Sequence, residues 1–155
     1  MKKIIISISL GLVLLLSNCH AGNPDKTTNN ANTSASGTVN VMTNDIFKQQ
    51  IFNYDVNKQW KYEGKLPAII DFYASWCGPC RQLSPRIEEI AKEYAGKIIV
   101  YKVDTDAEKL LSQSMGIKSL PTLLFIPVNG QPQATMGALP KETLEKIIHE
   151  VLLVK

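Results

Sequence analysis

Two thiols stand two residues apart in the segment Trp76-Cys77-Gly78-Pro79-Cys80. Cysteines at this spacing can close a structural disulfide, supply half of a zinc site, or cycle between dithiol and disulfide. Zinc needs about four ligands, and the two histidines, His20 and His149, lie near opposite ends of the chain. The flanking sequence favours redox cycling. An apolar run with strand character, Ala68-Ile69-Ile70-Asp71-Phe72-Tyr73, precedes the pair and a helix-like stretch follows it. A thiol at the first turn of a helix faces unpaired backbone N–H groups and the positive end of the helix dipole. That field favours the thiolate, which is the nucleophile. Cys77 is therefore the expected nucleophile: it attacks a disulfide sulfur and forms a mixed disulfide. Cys80, one helical turn on, then attacks Cys77 and releases the reduced product.

Three neighbours bear on that chemistry. Asp71 is a carboxylate in an otherwise apolar strand. Burial raises a carboxyl pKa by penalising the charged form, so Asp71 is a credible proton acceptor for Cys80. Gly78 and Pro79 set the geometry and redox poise. Pro79 has a fixed φ and no N–H, which suits an early helical position and leaves fewer donors for the thiolate. Neither residue can carry charge, which favours a reductant over a strong oxidant. Trp76 is read as a cover for the thiols and an apolar contact surface, with plain core packing as its alternative.

The elements that must position these groups alternate between strand and helix patterns. Val39–Met42 reads as a short first strand, and Thr43 or Asn44 can cap a helix carrying Ile46, Phe47 and Ile51. Asn53–Gly64 reads as a loop whose aromatics, Tyr54, Trp60 and Tyr62, pack on the core. Ala68–Tyr73 is near-continuously apolar, as expected of a central strand covered on both faces. The helix from about Cys77 to Tyr94 contains Pro85, which removes an N–H and is expected to kink it. Ile98–Val103 is a second central strand, and Ala107–Met115 a short helix ending at Gly116, a plausible C-cap. Thr122–Ile126 is a strand, Asn129-Gly130 a hairpin turn signal, and Ala134–Met136 an edge strand. The last helix is expected to start at Pro140 as a first-turn residue, with His149 on its solvated face. The pattern β-α-β-α-β-α-β-β-α predicts an α/β sheet sandwiched between helices.

The ordered set of motifs resembles the thioredoxin family: Asp71 through Cys80, then Pro85, Lys102-Val103-Asp104, Gly116-Ile117-Lys118-Ser119-Leu120-Pro121-Thr122, and Gly137. The resemblance spans about Val39 to the C-terminus. It implies the thioredoxin fold, a central mixed β-sheet flanked by helices, and protein-disulfide reductase activity. The implied redox group is the Cys77–Cys80 disulfide alone, with no metal or other cofactor. By the same resemblance Lys102 neighbours Asp71 on the adjacent strand, and Pro121 is a cis-proline lying against the cysteine pair. Leu120 and Thr122 flank it where a substrate chain pairs in extended form, and Gly137 lets that chain approach. Tyr73 departs from the pattern, standing where many members carry a second tryptophan.

The chain has 155 residues, enough for one domain with extensions. The boundaries drawn are a signal segment over residues 1–18, a linker over 19–38 and the domain over 39–155. Met1-Lys2-Lys3 is a short basic region and Ile4–Leu16 an apolar one, shorter than the ~20 residues of a membrane span and fitting an export signal. Leu16-Ser17-Asn18-Cys19 resembles a lipoprotein lipobox, which implies lipidation at Cys19; a plain cleaved signal and an uncleaved anchor are the alternatives. Lipidation would account for the odd third cysteine in an oxidising compartment. Ala21–Thr38 is rich in Asn, Thr, Ser and Gly and cannot bury enough surface to fold. As a random coil it would reach about 25 Å.

The formal charge is +3. Setting aside Lys2 and Lys3 leaves near balance, so nucleic-acid binding is not expected. The expected protein is a monomer in the bacterial periplasm, anchored to the membrane through Cys19, reducing disulfides of exported proteins. It would draw electrons from a membrane thiol donor, since no nicotinamide or flavin motif is present. The alternatives are an envelope oxidase or isomerase on the same fold, and a non-enzymatic binding or chaperone module using the groove around Trp76 and Pro121.

Overall fold

The computed structural model describes residues 35–155. The signal segment, Cys19 and most of the linker lie outside the described residues. The elements run β1 (Val39–Val41), α1 (Asn44–Gln50), β2 (Ala68–Tyr73), α2 (Gly78–Glu93), β3 (Ile99–Asp104), α3 (Lys109–Ser114), β4 (Thr122–Ile126), β5 (Gln133–Met136) and α4 (Lys141–Val151). This is the order expected from the sequence. One mixed sheet has the strand order β1-β3-β2-β4-β5. β1, β3 and β2 are parallel; β4 is antiparallel to β2, and β5 to β4.

The period of two along each strand divides the core between the two faces. Ile69, Val100, Leu123 and Phe125 point to one face and pack with Leu83, Ile87 and Ile90 of α2 and Leu144 and Ile148 of α4. Ala68, Ile70, Phe72, Tyr101, Val103 and Leu124 point to the other, with Phe47 of α1 and Leu111 of α3. Trp60 and Tyr62 from the 53–64 loop join that second cluster, as expected of them. β2, central and apolar on both faces, is the strand from which the cysteine segment departs.

Local boundaries depart from expectation where side chains take other partners. The third helix is shorter than Ala107–Met115. Its N-cap, Glu108, gives it no side-chain hydrogen bond, because the Glu108 carboxylate accepts instead from the Asn44 N–H at 3.0 Å. Pro140 is the N-cap of α4 rather than its first residue, with an extended backbone at φ −60° and ψ 153°. Helix α2 runs on through Pro85 from Gly78 to Glu93. His149 is exposed, but it is not merely solvated: Nε2 lies 3.2 Å from the Tyr94 hydroxyl and Nδ1 2.5 Å from the Val154 carbonyl. Residues 35–38, in the stretch read as linker, lie beside the end of α2, where the Ala35 carbonyl accepts from the Gly96 N–H at 2.8 Å.

Candidate active site

The topology brings four chain segments to one end of the sheet. The cysteine segment leaves the carboxyl end of β2. Because β4 is antiparallel to β2, its amino end lies at that same end, with Thr122 opposite Phe72. β5 returns there too, with Met136 opposite Thr122. The carboxyl end of parallel β3 delivers Asp104, Thr105 and Asp106 to the same end. Ligands in open α/β sheets gather at carboxyl ends of the strands.

Cys77 and Cys80 are joined in a disulfide, with Cα atoms 5.3 Å apart. Cys77 is the N-cap of α2, and its Sγ accepts from the Cys80 N–H at 3.2 Å. Gly78 and Pro79 occupy the first two helical positions, so Pro79 withholds no bond the helix needs. Both cysteines are nearly covered. Yet Cys77 lines an open cleft of about 410 Å³ together with Trp76, Pro79, Lys118 and Leu120, and Cys80 is not among its walls. An incoming disulfide therefore meets the Cys77 sulfur first.

Asp71 lies on the face of β2 beneath α2, between Ile69 and Tyr73 in the alternation, and is 4% exposed. Its Oδ1 is buried with no hydrogen-bond partner among the described residues. Desolvation pushes its carboxyl up to about 7, against a smaller opposing pull from Lys102. Lys102 is its register partner on β3, in the place the resemblance implied. Tyr73 packs with Cys77, Cys80 and Leu120 in a small cluster of its own.

The peptide bond between Leu120 and Pro121 is cis. Pro121 and Thr122 are buried and Leu120 is half-buried at the cleft. Gly137 donates its N–H to the Pro121 carbonyl at 2.9 Å. Its φ of +90° is one that side-chain-bearing residues rarely adopt. Trp76 is 68% exposed, which removes core packing as its role. Its indole N–H donates to Asp106 Oδ2 at 2.8 Å, and that bond fixes the ring at the rim of the cleft.

The structure thus brings together Asp71, Trp76, Cys77, Gly78, Pro79, Cys80, Lys102, Leu120, Pro121, Thr122 and Gly137; Cys19 lies outside the described residues. Sequence reasoning missed Thr105, Asp106, Ile117 and Lys118. The signal that could have found them is their position just past the carboxyl end of a predicted parallel strand, or just before the predicted proline loop. Among the described residues no group of three or more His, Cys, Asp or Glu side chains could hold a metal, and no helix is long and apolar enough to cross a membrane.

Comparison with known proteins agrees with this geometry. The thioredoxin family model matches residues 38–150. The thioredoxin of Borreliella burgdorferi is 48% identical over 109 residues, covering 70% of this chain and 93% of that protein. Thioredoxin 1 of a Nostoc species is 38% identical over 111 residues, covering 72% and 94%. Among solved structures, chloroplastic thioredoxin z superposes with a TM-score of 0.63 at 28% identity, covering 76% of this chain and 96% of that one. The chain belongs to the thioredoxin family, and its Cys77–Cys80 pair makes it a protein-disulfide reductase.

Proposed function

We propose that the protein reduces disulfides of exported proteins, held at the membrane surface of the bacterial envelope by a lipid on Cys19. The observation that carries the chemistry is the asymmetry of the cysteine pair. Cys77 lines the cleft and accepts a backbone N–H at the start of α2, while Cys80 is shielded behind it. In the dithiol form, that N–H and the helix dipole favour the Cys77 thiolate. Cys77 attacks a sulfur of the substrate disulfide; one S–S bond breaks, another forms, and the departing thiolate takes a proton. Asp71 accepts the proton of Cys80, whose thiolate attacks Cys77 and frees the second substrate thiol. The protein is left as the disulfide, its two electrons now on the substrate. Lys102 tempers the rise in the Asp71 pKa. Trp76, Leu120, Pro121, Thr122 and Gly137 receive the substrate chain in extended form.

The export reading rests on residues 1–19 of the sequence: a basic start, a short apolar run and the lipobox-like Leu16-Ser17-Asn18-Cys19. A protein so placed takes its electrons from a membrane thiol donor, since soluble reductases of the cytosol cannot reach it. The test of direction is the reduction potential of the Cys77–Cys80 pair in the full chain, by equilibration against glutathione. A value near thioredoxin's ~−270 mV is expected. A value between ~−180 and −120 mV would make the protein an envelope oxidase or isomerase.

A further inference from the structure

A second cavity, of about 290 Å³, opens beside the cysteine cleft. Trp60, Met115, Ile117, Leu124, Ala134 and Met136 line it. It lies on the face of the sheet packed by α1 and α3, since Leu124 belongs to that core cluster and pairs with Ala134 across the β4–β5 ladder. There the 53–64 loop, through Trp60, and the turn after α3 wall a hollow over the β4–β5 margin.

Three observations give the hollow a use. First, Ile117 and Lys118 line both cavities, so the hollow adjoins the cleft that holds Cys77. Second, Trp60, Met115, Ile117, Leu124 and Ala134 make its walls mainly apolar, as suits an apolar side chain. Third, Met136 is 68% exposed at its rim and offers an entering chain an apolar contact at the mouth. The volume falls just under the ~300–1,000 Å³ usual for small-molecule sites, a size suited to one large side chain.

We propose that this hollow is a specificity pocket of the reductase. It takes an apolar side chain of the substrate polypeptide, a few residues from the cysteine whose disulfide lies in the Cys77 cleft. The occupant is the substrate chain because that chain must enter the adjoining cleft to react, and the two cavities share a wall. Extended peptides bind through their main chain and draw specificity from pockets for single side chains. This rests on the reductase reading and adds to it a preference among substrates. Trp60 is the residue that distinguishes the pocket, supplied by a loop that no part of the thiol chemistry uses.

The test is a set of peptides, each disulfide-bonded to glutathione, carrying Leu or Ser at successive positions two to six residues from the cysteine. With the full chain, kcat/KM at one offset should favour Leu over Ser about tenfold. In Ala134→Phe, which fills the hollow, that ratio should fall to about one. The ratio is taken within a single protein, so a change in overall activity does not disturb it. Should Ala134→Phe fail to fold, Met136→Lys at the exposed rim should lower the same ratio. Reduction with no preference at any offset, or a preference that survives both substitutions, overturns the pocket and leaves the reductase reading intact. Failure to reduce any peptide overturns both.

Discussion

At the scale of the residue, the chemistry turns on which groups are kept from water. Asp71 titrates near 7 in the fold because it is desolvated, against about 3.9 in an unfolded chain. Between those values the native state holds the extra proton, so stability falls as pH rises from about 4 to 7 and stays low above. The full shift corresponds to a cost on the order of 4 kcal/mol at pH 8. Asp71→Asn keeps the shape without the charge. It should raise the denaturant midpoint at pH 8 by an amount equivalent to about 1–3 kcal/mol, an advantage that fades by pH 4. The same substitution should slow resolution of the mixed disulfide about a hundredfold near neutral pH, the loss expected of a missing general base. Stopped-flow release of the second thiol from a chromogenic substrate would read it. Cys80→Ser removes the resolving thiol and should accumulate the Cys77 mixed disulfide, seen as a mass increase equal to the bound substrate half; Cys77→Ser should show no adduct. Pro79→His would place a cation beside the thiolate and stabilise the reduced form. It should raise the reduction potential by about 30 mV for each 1.4 kcal/mol of stabilisation. An unchanged potential would show that the residue between the cysteines does not set the poise here.

At the scale of the element, the site depends on where helices and strands stop. The Thr43 hydroxyl caps α1 by accepting from the Ile46 N–H at 3.3 Å, and Thr43→Ala should cost about 1 kcal/mol in a denaturation experiment. That helix carries Phe47, which is fully covered, and Phe47→Ala should cost more, about 3–5 kcal/mol. The strands β2 and β4 were legible in the sequence to the residue, because β-branched and aromatic runs bounded by turn signals have few other readings. The ends of α3 and α4 were not. Their limits depend on the Glu108 carboxylate reaching Asn44 and on the extended backbone of Pro140, neither a property of local sequence. The site divides the same way. Cys77, Cys80 and their neighbours sit in one contiguous motif, and Asp71 betrays itself as a charge in an apolar strand. Asp106 and Lys118 do not, because their place beside Trp76 and Pro79 follows from strand order. Only when β3 lies next to β2, and β4 runs antiparallel on its other side, do those loops meet.

At the scale of the whole molecule, the question is where a reductase with this site would work. The domain carries its catalytic groups at one end of the sheet, and the segment that would address it to the envelope lies outside the described residues. A single acyl chain gives only marginal membrane binding, whereas two or more signals together make it stable. Lipidation that puts two or more acyl chains on Cys19 would hold the chain firmly, while simple signal cleavage would release it. Expressed with its own first residues in a bacterial host, the full chain should sediment with membranes and take up radiolabelled palmitate. Cys19→Ala should lose the label and move into the soluble fraction released by osmotic shock. Its reductase activity should be unchanged per molecule, because Cys19 has no part in the Cys77–Cys80 cycle. Recovery of the native chain in that soluble fraction, unlabelled, would leave export standing and remove the lipid. Recovery in the cytosol would remove both, and a cytosolic electron source would then replace the membrane donor.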